Sequence, residues 1–148
     1  MLLELGLAGF DEELAVACHD RDGELGASMP YRDTAAVLKE LKARGIRIGV
    51  VSDIHYHLRP HFEHFDLGRF IDAYTLSFEC GVQKPDPRLF EIALKQLGAS
   101  AAETLMVGDR AHRDGGAAAV GITTLILPPV ANYTPRGLDI VLRLAADS

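Results

Sequence analysis

Cysteine is scarce: Cys18 and Cys80 are the only two in 148 residues. Two thiols make no disulfide framework, so the expectation is a cytoplasmic chain with plain thiols. Long apolar runs are missing, and none approaches the roughly 20 residues of a membrane span. The start, Met1-Leu2-Leu3-Glu4, has no basic stretch and meets an acid at once, so no signal peptide and no membrane partner are expected. Basic runs are absent as well. Lys plus Arg number 15 against 21 Asp plus Glu, a formal charge of −6, which argues against nucleic acid as a partner. No Gly-x-Gly-x-x-Gly follows a strand-like segment, and no Gly-Lys-Ser/Thr phosphate loop occurs. A standard dinucleotide fold and a P-loop NTPase are thereby set aside.

What remains is ordinary globular material, 48 % hydrophobic and 24 % charged, and long enough for one domain with its own core. Helix-like and strand-like segments alternate from residue 33 onward. Asp33 or Thr34 can cap a helix through Val37, Leu38 and Leu41 that stops at Gly45. Ile46 to Val51 reads as a β-branched strand, and Leu58 to Phe65 as an aromatic helix. Ala73 to Phe78 reads as a second strand. Asp86-Pro87 opens a helix with an acidic cap and Pro at its first position, and Gly98 closes it. Thr104 to Val107 is a third strand, Asp114 to Val120 a short helix, Ile122 to Leu127 a fourth strand, and Leu138 to Leu144 a last helix. This alternation predicts an α/β fold with a doubly wound, mostly parallel sheet. Residues 1–30 read as helix, helix and loop instead: Asp11-Glu12-Glu13 can open a helix through Leu14, Ala17 and Cys18.

Ligands in such sheets sit beyond the carboxyl ends of the strands. Three groups stand there. Ser52-Asp53 ends the first strand, and a hydroxyl there can donate to a phosphate oxygen. Lys84, fixed by Pro85 in the loop Gly81 to Pro87, is a point charge suited to a phosphoryl group. Gly108-Asp109 ends the third strand, with Asp114 five residues later, and two carboxylates at such a turn can hold a hard cation. Each has an ordinary alternative: a turn serine, a solvated lysine, a pair of cap aspartates. His55, His57, His61 and His64 are clustered, but they read better as partly exposed lining of the cleft than as a zinc site.

Taken in this order, each after its own strand, the three groups resemble the second, third and fourth motifs of the haloacid dehalogenase superfamily of hydrolases. The resemblance covers roughly residues 30–127. It implies a Rossmann-like core over residues 31–148, with residues 1–30 as a helical cap-like remnant. It also implies Mg²⁺-dependent hydrolysis of a small phosphorylated metabolite through an aspartyl-phosphate. Carried over, Ser52 would bind the transferring phosphoryl group and Lys84 would offset its charge. Asp109 would ligate Mg²⁺, and Asp114 would support the metal or orient Lys84. The cation and the lysine together offset the repulsion between an anionic nucleophile and an anionic phosphate.

The family's first motif, Asp-x-Asp-Gly-Thr after the first strand, has one formal match, Asp20-Arg21-Asp22-Gly23-Glu24. Two readings stay open. Asp20 and Asp22 are nucleophile and acid/base, or the first strand and its nucleophile lie upstream. The second reading predicts an exposed strand edge and self-association into homo-oligomers. It also keeps a different class of function in view: a catalytically silent domain that binds phosphate or metal.

Overall fold

The computed structural model describes residues 29–130 and 134–145. The first helix, α1 (Thr34–Ala43), buries Val37 and Leu41 and ends into Gly45, whose φ of 76° only glycine adopts at little cost. Asp33 stands before it but does not cap it. Its Oδ2 instead accepts from the backbone N–H groups of Gly137 and Leu138, at 2.8 and 2.9 Å. That contact docks the last helix, α6 (Asp139–Leu144), beside α1.

Strand β1 (Gly49–Ser52) starts three residues later than the apolar pattern predicts. Two side-chain contacts explain the delay. The Ile48 N–H donates to Asp72 Oδ2 (2.7 Å) before any ladder forms, and Arg47 turns away to donate to the Leu97 carbonyl (2.8 Å). Strand β2 (Ala73–Leu76) pairs with β1 in parallel, Gly49 opposite Ala73 and Ser52 opposite Leu76. Between them run α2 (Arg59–His64) and a 3₁₀ turn, Gly68–Phe70. The predicted strand through Phe78 is cut short, because Ser77–Cys80 forms a helical turn, α3.

Helix α4 (Pro87–Leu97) follows its sequence signals closely. Asp86 accepts from the Arg88 N–H, Pro87 opens the helix, and Gly98 closes it at φ 63°. Its apolar face buries Leu89 and Phe90 at 0 and 1 % exposure. Full burial of such side chains contributes about 1.5–3 kcal/mol each. Strand β3 (Leu105–Gly108) pairs in parallel with β4 (Thr123–Ile126). The helix expected over residues 114–120 divides into an α-turn, α5 (Ala111–Asp114), and a 3₁₀ stretch, Gly115–Val120.

Parallel strands joined by helices make this an α/β fold. Among the described residues the strands form two pairs, β1–β2 and β3–β4, with no ladder between β1 and β3. The pairs share one core. Val51 of β1 and Met106 of β3 both pack on the cluster of Phe90, Ala117 and Ile122. No described helix is long and apolar enough to cross a membrane. Residues 1–28, which hold Cys18, Asp20 and Asp22 and most of the expected cap-like remnant, lie outside the described residues.

Candidate functional site

The carboxyl ends of β1 and β3 carry the expected groups. Ser52 is the last residue of β1 and half-buried, and its hydroxyl has no hydrogen-bond partner among the described residues. The next residue, Asp53, is a structural tie. Its Oδ1 accepts the Lys84 backbone N–H (2.9 Å), and its Oδ2 accepts from Arg113 (3.2 Å). The loop carrying Lys84 is therefore anchored to the end of β1.

Lys84 Nζ donates to Asp114 Oδ1 at 2.6 Å, with the two side chains 13 and 3 % exposed. Asp114 Oδ2 accepts the backbone N–H groups of Asp109 and Arg110, both at 2.9 Å. Burial pushes the Asp114 carboxyl up, but the Lys84 ammonium and those amides outweigh it and hold its pKa below the usual range. Asp114 is thus a carboxylate with both oxygens engaged, folding the turn after β3 and aiming Lys84.

Asp109 differs. Only its backbone N–H is engaged. Its half-buried carboxylate has no hydrogen bond or ion pair among the described residues. An unpartnered carboxylate oxygen at a strand end can ligate a hard cation, and Asp109 is better placed for that than Asp114. No group of three or more His, Cys, Asp or Glu among the described residues could enclose a metal by itself. Mg²⁺ suits such a seat, since it is commonly held by one or two carboxylates and completed by water and phosphate oxygens.

Two glycines make the arrangement possible by their lack of a side chain. A Cβ on Gly108 would collide with the Asp114 carboxylate. A Cβ on Gly116 would lie 2.5 Å from the Pro85 carbonyl oxygen, within the loop that presents Lys84.

Sequence reasoning singled out Ser52, Lys84, Asp109 and Asp114, and the fold brings all four to one edge. It missed Arg136, which no local motif signals. Arg136 Nη2 donates to the carbonyls of Gly108 (3.1 Å) and Leu127 (2.8 Å), and its guanidinium covers the Tyr31 ring. It therefore fixes the strand end from which Asp109 projects. The histidines divide: His61 is buried, its ring beside that of Tyr56, and is not the partly exposed residue expected, because α2 turns it inward. Cys80 is a free, half-buried thiol whose pKa is raised by burial and by Glu79, in keeping with the plain-thiol expectation.

The model of the haloacid dehalogenase-like hydrolases matches residues 3–121. A glyceraldehyde 3-phosphate phosphatase from Methanothermobacter thermautotrophicus is 31 % identical over 121 residues, covering 76 % of this chain and 54 % of that protein. A sesquiterpene phosphatase from Aspergillus oryzae is 33 % identical over 129 residues, covering 84 and 61 %. An (S)-2-haloacid dehalogenase from Burkholderia cepacia is 28 % identical over 111 residues, covering 71 and 48 %. The chain thus spans about half the length of the curated relatives it matches. The crystal structure of a HAD phosphatase from Thermococcus onnurineus shares the fold, with a TM-score of 0.72 at 23 % identity, covering 96 % of this chain and 67 % of that one. With the family match running through the three strand-end groups and four-fifths of the chain, this protein belongs to the haloacid dehalogenase-like hydrolases.

Proposed function

We propose that the carboxyl edge of β1 and β3 is the phosphoryl site of a phosphatase acting on small phosphate monoesters with Mg²⁺, in the cytoplasm. The observation that carries the reading is the buried Lys84–Asp114 pair at the same strand-end edge as two groups without a side-chain partner among the described residues, the Ser52 hydroxyl and the Asp109 carboxylate. Ser52 donates to a phosphate oxygen. Lys84, aimed by Asp114 and anchored through Asp53, offsets the phosphate charge. Asp109 is the protein's ligand to Mg²⁺, which when bound draws charge from the phosphate oxygens. The names of the relatives support a phosphate substrate, four of them being glyceraldehyde 3-phosphate phosphatases 31–36 % identical to this chain.

None of these four groups is the attacking carboxylate. Asp20, its candidate in this chain, lies outside the described residues. A second reading is a silent domain that keeps the phosphate and metal seat without turnover, since the Lys84–Asp114 pair and the Asp109 carboxylate can hold phosphate and metal with no nucleophile beside them. Hydrolysis of p-nitrophenyl phosphate, with Mg²⁺ and with chelator, separates the two. Mg²⁺-dependent turnover abolished by Asp20→Asn and by Asp109→Asn assigns nucleophile and metal ligand within this chain. A folded sample that binds inorganic phosphate but turns nothing over supports the silent domain. A folded sample that binds no phosphate overturns both.

A further inference from the structure

The rim above the Ser52 end of the sheet is built of rings. The loop after Asp53 carries His55, Tyr56 and His57 in succession. His55 and Tyr56 meet edge to face, Tyr56 and His61 meet at a tilt of 46°, and His57 meets Phe78 edge to face with centroids 5.3 Å apart and planes at 80°. Phe78 stands two residues beyond Leu76, the register partner of Ser52, so its ring belongs to the same edge as the serine. It is 39 % exposed, and Leu144 is the only other large exposed hydrophobic among the described residues.

The ring pair is held in place from below. Ser77 Oγ donates to the Ile54 carbonyl (3.1 Å) and accepts the Ile54 N–H (2.9 Å), tying the loop to α3. Arg59 and Glu79 close the same gap with an ion pair at 2.6 Å, so the charges beside Phe78 are already matched. A fixed aromatic surface left in water has a hydrophobic cost that a ligand's flat or apolar face removes.

We propose that the His57–Phe78 pair seats the leaving group, so that this site prefers phosphate esters of aromatic or apolar alcohols to those of small polyols. The inference rests on the phosphoryl-site reading above and names its substrate class. Phe78 is a specificity residue in this role and takes no part in bond making.

Titration calorimetry of the full chain in Mg²⁺ buffer tests it with phenyl phosphate, glycerol 3-phosphate and inorganic phosphate. Phenyl phosphate is expected to bind about tenfold more tightly than glycerol 3-phosphate. Phe78→Ala should remove that preference and leave inorganic phosphate binding unchanged, whereas Phe78→Tyr should keep the preference. Equal binding of the two esters by the unaltered chain, or a preference that survives Phe78→Ala, overturns the leaving-group seat and leaves the phosphoryl site standing. Failure of all three probes to bind overturns both.

Discussion

At the residue scale, Asp114 has the largest structural task for its size. It is 2 % exposed and serves the Lys84 ammonium and two backbone amides together. Breaking a buried pair by removing one partner typically costs about 3–5 kcal/mol. Asp114→Ala should therefore lose stability on that order in urea unfolding, and should lose phosphate binding because Lys84 is no longer aimed. Lys84→Met should abolish phosphate binding at a smaller cost in stability, since Asp114 keeps its two amide donors. Comparable stability loss in the two variants would contradict the assigned division of labour. Gly116→Ala tests the packing of the loop: its Cβ meets backbone at Pro85, so overpacking of about 1–3 kcal/mol is expected, together with weakened phosphate binding. Asp109→Ala, whose carboxylate has no partner to lose among the described residues, should leave the unfolding midpoint in urea nearly unmoved and remove the Mg²⁺ dependence of phosphate binding.

At the scale of elements, Asp33 joins the two ends of the described chain. Burial pushes its carboxyl up, but the amides of residues 136–138 outweigh it and its pKa falls below the ordinary range. An aspartate depressed in the folded state stabilises the fold above its unfolded pKa of about 3.9, and that contribution is lost as pH falls through the lower folded value. Asp72, depressed by its bond to Lys42 and by the Ile48 amide, behaves the same way. Thermal unfolding followed from about pH 6 to pH 2 should show stability falling with acid. Asp33→Asn should flatten part of that acid limb, and amide exchange should reveal early opening of α6 in the variant. The elements themselves were legible where the sequence supplies local punctuation. Asp86-Pro87 and Gly98 bound α4 as read, and Gly45 ends the chain turn after α1. Boundaries failed where a distant partner intervened. Asp72 takes the Ile48 amide and delays β1, Ser77 binds Ile54 and truncates β2, and Arg136 reaches two strand ends from far along the chain. Asp33 could be read as a cap, but its amide partners lie more than a hundred residues away.

At the scale of the whole molecule, the four expected site residues do meet at one edge, because strand-end position in a parallel fold is itself encoded by the alternation of elements. Their division of labour was not encoded. Asp109 and Asp114 look alike in sequence, and only burial shows that one is consumed by its neighbours while the other is open. The sheet held a further surprise, since four parallel strands form two pairs among the described residues. Unpaired strand edges favour association with another chain. If the whole chain leaves such an edge open, sedimentation velocity should show association that grows with protein concentration. A single monomeric species at all concentrations would mean that β1 and β3 are covered within one chain.

The meeting of those two pairs has a consequence for the solvent. Across that edge the described residues are tied by the Lys84 amide on Asp53 and by two pairs of opposite charge: Arg113 with Asp53, and Lys84 with Asp114. The second pair is buried and little affected by ions, but the first has its arginine side chain 39 % exposed. Mobile ions screen exposed charges over about 8 Å at physiological strength and over about 3 Å at molar salt. Ionic strength therefore acts on the spacing of the two halves as well as on the attraction between protein and phosphate. Concentrated salt should weaken the exposed Arg113–Asp53 tie first, leaving the buried Lys84–Asp114 pair and the Lys84 amide bond in place.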